Sequence, residues 1–218
     1  MCQTIINGGS VMIFDMHVHQ NRHSSDSRLD IYEGIQYAKN LGLDGICITD
    51  HDDLGLRSLA KELSENAGIQ VIVGVEIYTL DGDLLCYGIE DLPKERMTAQ
   101  ETIDYVNERG GACIAAHPYR SNRRGLEEVL YDVKGLSAIE GYNGRTKSDE
   151  NHKAISVATE LDIPISGGSD AHTLDEIGNY VTVFQEVVYD EQSFVKALKS
   201  GSFYPSILEK PISNKEIA

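Results

Sequence analysis

Six short segments of the chain carry residue types that bind metal ions: DMHVH at 15–19, SSD at 24–26, TDH at 49–51, GVE at 74–76, AHP at 116–118 and GSDAH at 168–172. Imidazoles and carboxylates gathered in this way suit a multinuclear hydrolase, in which neighbouring divalent cations share bridging carboxylates and are capped by ring nitrogens. The HxH spacing of DMHVH, at the end of an extended run, turns His17 and His19 to the same side, so both rings can reach one cation. Asp170 and His172 repeat the spacing of two. Glu76 closes the largely apolar run QVIVGVE, where a charged carboxylate needs a partner or a cation to offset its desolvation. His117 precedes Pro118, which favours extended backbone at the histidine. His51 ends ITDH, with Asp50 expected to orient its ring. Asp26 reads either as a ligand or as a turn or cap for a helix beginning near Leu29, with His23 its competitor as ligand. His152, in an amphipathic segment, reads as a surface residue.

The elements that must position these residues are legible as short apolar runs alternating with helical patterns. The runs are VMIF at 11, GICI at 45, QVIVGV at 70, ACIAA at 112, SAIE at 137, IPIS at 163 and YVTVF at 180. Helical patterns cover Leu29 to Leu41, where Ile31, Ile35 and Ala38 form one stripe, and then Thr98 to Arg109, Lys147 to Leu161 and Glu191 to Lys199. This alternation predicts parallel strands with crossover helices, interrupted by a hairpin over 77–89 around Asp81 and Gly82. Seven strand–helix units could close into a barrel, with the ligand-rich segments at the C-terminal strand ends. Residues 1–10 are expected to form a flexible arm and 11–218 a single domain.

Composition works mainly by exclusion. With 19 basic against 35 acidic residues and a formal net charge of −16, no broad nucleic-acid or anionic-membrane surface is expected. No run approaches the ~18 apolar residues of a membrane span, and no basic start leads into an apolar core, so a cytoplasmic protein is expected. Cys2, Cys47, Cys86 and Cys113 form neither a CxxC pair nor a disulfide framework.

Taken together and in order, the DxHxH, SSDS, TDH, GxE, HP and SDAH elements resemble the PHP (polymerase and histidinol phosphatase) family of metal-dependent phosphoesterases, in a short stand-alone form. The resemblance implies a distorted seven-stranded (βα)7 TIM-like α/β barrel with two or three divalent ions, zinc, manganese or iron. It implies that His17, His19, Glu76 and Asp170 hold one ion, that Glu76 bridges to a second held by His117, and that Asp26, His51 and His172 surround a third. Some relatives carry a further histidine ligand after the sixth strand; here Glu140 or Asn143 occupies that neighbourhood.

Hydrolysis follows as the expected chemistry, by a hydroxide that the ions generate from water. Arg120 and Arg145, with Asn143, are the candidate phosphate contacts, and His172 or His51 the candidate proton donors to the leaving oxygen. Only 22 residues separate His117 from Glu140, which leaves little room for a covering insertion and fits a small phosphomonoester or an accessible phosphodiester. Two other readings keep the metals: an amidohydrolase opening an amide or lactone, and a non-catalytic binding or regulatory module.

Overall fold

A computed structural model of the chain describes residues 5–6 and 9–208. In chain order, β1 (Ile5–Ile6), β2 (Gly9–Ser10), β3 (Met12–Val18), α1 (Ile31–Asn40), β4 (Gly45–Ile48), α2 (Ala60–Ala67), β5 (Gln70–Val73), β6 (Val75–Tyr78) and β7 (Asp83–Tyr87) make the first part. There follow α3 (Ala99–Glu108), β8 (Ala112–Ala115), β9 (Ala138–Asn143), α4 (Ser148–Glu160), β10 (Ile165–Gly168), β11 (Val181–Phe184), α5 (Glu191–Ser200) and β12 (Phe203–Ser206). Of the arm expected over residues 1–10, part lies outside the described residues; β1 and β2 pair antiparallel.

The expected closed (βα)7 barrel is not found. The long strands form two mixed sheets of five, in the orders β10-β9-β8-β7-β6 and β12-β11-β3-β4-β5. Two features of the chain depart from an all-parallel repeat. The hairpin makes β7 antiparallel to both β6 and β8, and β11 runs antiparallel to β3 and β12, so the parallel progression a barrel needs is broken twice. At the seams between sheets the described residues make single bridges, Val18 with Ala171 and His51 with Glu76. The Thr182 hydroxyl accepts from Gly167 N (2.9 Å) and donates to Gly167 O (2.8 Å), satisfying backbone groups that a continuous ladder would have used.

The run QVIVGVE, read as one strand, is split at Gly74. A Cβ there would stand 2.5 Å from the Tyr87 ring and 2.8 Å from Cys86 O, so only glycine lets the chain bend from one sheet into the other. Between the sheets Phe14, Tyr87, Phe184 and Phe194 interlock with centroid separations of 5.2–5.7 Å. Ile31, Ile35 and Ala38 bury the predicted stripe of α1. The cap of that helix is Asp30, whose carboxylate accepts from Tyr32 N and Glu33 N, and not Asp26. Helix α2 and strand β12 add to the expected elements. Cys47, Cys86 and Cys113 are buried free thiols. Among the described residues no helix is long and apolar enough to cross a membrane.

Candidate metal centre

The two sheets bring their ligand-bearing strand ends together where the single bridges join them. His17 and His19 leave β3 with their Nε2 atoms 3.0 Å apart. Both face Glu76 Oε2 on β6, at 3.4 and 3.2 Å, and Asp170 Oδ1 after β10, at 3.6 and 3.4 Å. All four side chains are buried. Two ring nitrogens and two carboxylate oxygens thus point at one small space.

His117, after β8, turns Nε2 to Glu76 Oε1 at 2.9 Å. On the outer side, Asp26 Oδ2 lies 3.2 Å from both His51 Nε2 and His172 Nε2, and His51 Nδ1 lies 3.0 Å from Glu76 Oε2. Four sets of ligand-type atoms each fall within 4.8 Å: His17, His19 and Glu76; His17, His117 and Asp170; His19, His51 and His172; and Glu76, Asp83 and His117. Exposure rises from 0–2% at His17, His19, Glu76 and Asp170 to 33% at His51 and 54% at Asp26, so the outer set faces solvent.

Electrostatics fits cations in these spaces. Burial disfavours a charged His19, yet the carboxylates of Asp170 and Glu76 overcome it and raise its pKa from 6.5 to about 9. His17 is raised well above its ordinary value against the same burial by Asp170, Glu140 and Glu76. Glu76 and Asp170 resist the upward push of burial, and the imidazoles, His17 first, hold them well below the usual carboxylate range. Protons on rings therefore balance the charge that metal ions would balance. His172 differs: burial and then His19 lower its pKa, and Nδ1–H donates to Asp170 O at 2.9 Å. In that tautomer Nε2 carries its lone pair toward Asp26 Oδ2, acceptor against acceptor, an arrangement that a shared cation satisfies.

Further polar residues hold these ligands in place. Glu140, at the end of SAIE, accepts from His17 Nδ1 (3.0 Å) through Oε1, and from His117 N and Asn143 Nδ2 (both 2.9 Å) through Oε2. Its signal was the one that marked Glu76, a carboxylate closing an apolar run. Asp50 orients His19 rather than His51: it accepts from Ser24 Oγ at 2.8 Å, and Ser24 Oγ meets His19 Nδ1 at 3.3 Å. Asp15 accepts from Ser169 N and Gly178 N, tying the loop of Asp170 to β3. The backbone at His117 is not extended as Pro118 suggested. Its φ is +29°, a turn held by the bonds from His117 N to Glu140 and from Arg120 N to His117 O, and Asp170 also has positive φ, at +54°. His23 pairs with Asp53 at 3.0 Å, apart from the cluster, and His152 is exposed on α4.

Arg120 reaches the rim: Nη2 donates to Asp170 Oδ2 and to Asn143 Oδ1 (2.6 Å), and Nε to Thr146 Oγ1 (3.0 Å). Asn143 is spent within the scaffold, and Arg145, 41% exposed, pairs loosely with Glu176 at 3.7 Å. A cleft of about 940 Å³ opens beyond the other end of β7 and β8, near Gly88 and Gly110, and shares no residue with this cluster. Glu140→Gln, which keeps the shape and weakens the hold on His17, is expected to lower affinity for manganese about 10–100-fold in titrations of metal-free protein. Unchanged affinity would mean that Glu140 merely fills space.

An uncharacterized protein of Methanocaldococcus jannaschii, MJ1587, is 33% identical over 110 residues, 50% of this chain and 63% of the relative. The phosphoribosyl 1,2-cyclic phosphate 1,2-diphosphodiesterase of Eggerthella lenta is 33% identical over 70 residues, 32% of this chain and 26% of the relative. The matched stretches span less than two thirds of either relative. Among solved structures, PsfC from Pseudomonas syringae PB-5123 shares the fold with a TM-score of 0.72 at 19% identity, over 90% of this chain and 91% of that one. A PHP-domain profile matches residues 15–160, which hold the segments from DMHVH to Glu140, and a PHP-associated profile matches 148–203, which hold Asp170 and His172; the chain belongs to the PHP family.

Proposed function

We propose that the chain is a metal-dependent phosphoesterase acting on a small phosphomonoester or an accessible phosphodiester. The carrying observation is that Glu76 joins two of the ligand sets, one of its oxygens facing His17 and His19 and the other His117, with an arginine at the rim. A shared carboxylate with imidazoles on both sides suits two adjacent divalent ions, and the outer trio of Asp26, His51 and His172 suits a third. Zinc, manganese and iron all accept such mixed donors. When bound, these ions supply Lewis-acid activation of water and of the phosphoryl oxygens.

The chain's own residues do the rest. Arg120 is fixed by Asn143, Thr146 and Asp170 through Nε and Nη2, and Nη1 enters none of those bonds, leaving donors to orient a phosphate at the rim. Arg145 stands farther out, to attract an anionic substrate. His172 gives its Nδ1–H to a carbonyl and His51 lies between Glu76 and Asp26, so we place both as ligands rather than as proton donors to the leaving oxygen. The name of the Eggerthella lenta relative supports a phosphoester over an amide or lactone, and the assembled ligand set weighs against a non-catalytic module.

The test is hydrolysis of p-nitrophenyl phosphate and bis(p-nitrophenyl) phosphate, with manganese or zinc and with chelator. Chelator-sensitive release of nitrophenol is expected. Metal-loaded protein that cleaves p-nitroacetanilide but neither phosphoester would establish the amidohydrolase reading instead.

A further inference from the structure

At the inner end of the site, Glu76, Asp83 and His117 bring ligand-type atoms within 4.8 Å of one another. Glu76 Oε1 stands 2.9 Å from His117 Nε2, which stands 3.9 Å from Asp83 Oδ2. All three side chains are 1–2% exposed. Two of their atoms, Asp83 Oδ1 and His117 Nδ1, are buried and have no hydrogen-bond partner among the described residues. A buried carboxylate oxygen left without a donor is costly, and Asp83 Oδ1 is such an atom even though Oδ2 is paired with Arg124.

The residues near the end of β9 cannot complete this position. Glu140 has both oxygens committed, Oε1 to His17 and Oε2 to His117 N and Asn143. Asn143 turns its amide nitrogen toward Glu140 and Asp170, and its oxygen accepts from Arg120, Thr146 and Arg145 N. A carboxylate is instead delivered from the hairpin. Gly82 and the loop at Gly125 approach so closely that a Cβ on Gly82 would lie 2.7 Å from Gly125 C, and Asp83 N donates to Arg124 O at 2.7 Å. Arg124 Nε then donates to Asp83 Oδ2 at 2.7 Å, while its guanidinium lies 4.1 Å from the centre of the Tyr78 ring.

We propose that Asp83, from strand β7, completes a second cation position with Glu76 and His117, and that Arg124 is the positioning residue that holds its carboxylate there. The inference rests on the reading that the site binds divalent ions. It places the third ligand on the antiparallel hairpin, in the other direction along the sheet from β9. Guanidinium and cation share one carboxylate, so Arg124 fixes the side chain without satisfying Oδ1.

Wild-type protein and Asp83→Asn are stripped with chelator, loaded with manganese, desalted and counted for ions per chain by mass spectrometry. Asp83→Asn is expected to hold one manganese fewer than wild type. Manganese anomalous diffraction from wild-type crystals reads the same point without a variant, with a peak expected between Glu76, His117 and Asp83. Equal manganese in the two proteins, or a second peak bound by Asn143 or Glu140 with Asp83 turned away, overturns the assignment, and wild type that takes up no manganese removes it together with the metal reading. Loss of one ion by Asp83→Asn in a protein that releases no phosphate would support the ligand and sink only the phosphoesterase reaction.

Discussion

His17→Ala and Asp170→Ala are each expected to abolish turnover, with kcat falling by at least roughly 10²–10³-fold, and to lower the metal content of the purified protein. Each contributes one of four buried ligand atoms that converge on one small space, and no neighbouring side chain duplicates it. His17→Ala also removes the imidazole that faces Glu76, Glu140 and Asp170, and in metal-free protein this leaves buried carboxylates under-compensated. That loss costs about 3–5 kcal/mol. Asp170→Asn is the companion variant, since it keeps the shape and the Arg120 contact while withdrawing the charge. His152→Ala, on the exposed face of α4, is expected to change neither metal content nor rate. Wild-type activity in His17→Ala would remove the proposed centre.

The second large effect is on pH dependence without metal. In the metal-free protein burial opposes a charge on either ring, yet Asp170 and Glu76 raise the pKa of His19 from 6.5 to about 9, and Asp170, Glu140 and Glu76 raise that of His17 well above its ordinary value. A raised imidazole contributes stability that is fully present below about 6.5 and is lost as pH rises through the folded value, here about 9 for His19. Glu76 and Asp170 are depressed, so their contribution is present above the ordinary carboxylate range and is lost only in acid. Thermal melts of chelator-treated protein should therefore show Tm falling between pH 6.5 and 9, while manganese-loaded protein holds its Tm because cations have replaced the protons. Metal uptake in that range should release protons, and apparent affinity should climb toward pH 9. A metal-free Tm that is flat from 6.5 to 9 would mean that the rings are already neutral and the charge balance differs.

Much of the site was legible because its ligands obey local rules. The HxH and DxH spacings place two side chains on one side of extended chain, and Glu76 stands out as a charge after an apolar run. Which ligand each supporting residue holds follows no local rule. Glu140 is 123 positions from the ring it orients, and Asp83 comes near Glu76 and His117 through the pairing of β7 with β6. Pro118 misdirected the reading of His117, since its preference for extended backbone is overridden by the bonds of that residue to Glu140 and Arg120.

By itself the sequence determined which side chains could ligate, that they sit at the ends of apolar strands, and which family they resemble, since residue type and spacing are local properties. Tertiary structure alone decided how the strands close. Antiparallel pairing at β7 and β11, the bend at Gly74 and the Thr182 hydroxyl on Gly167 divide the expected barrel into two sheets. Those are choices of pairing partner between distant segments, and a periodic pattern of apolar residues fits a strand equally well whichever neighbour it bonds.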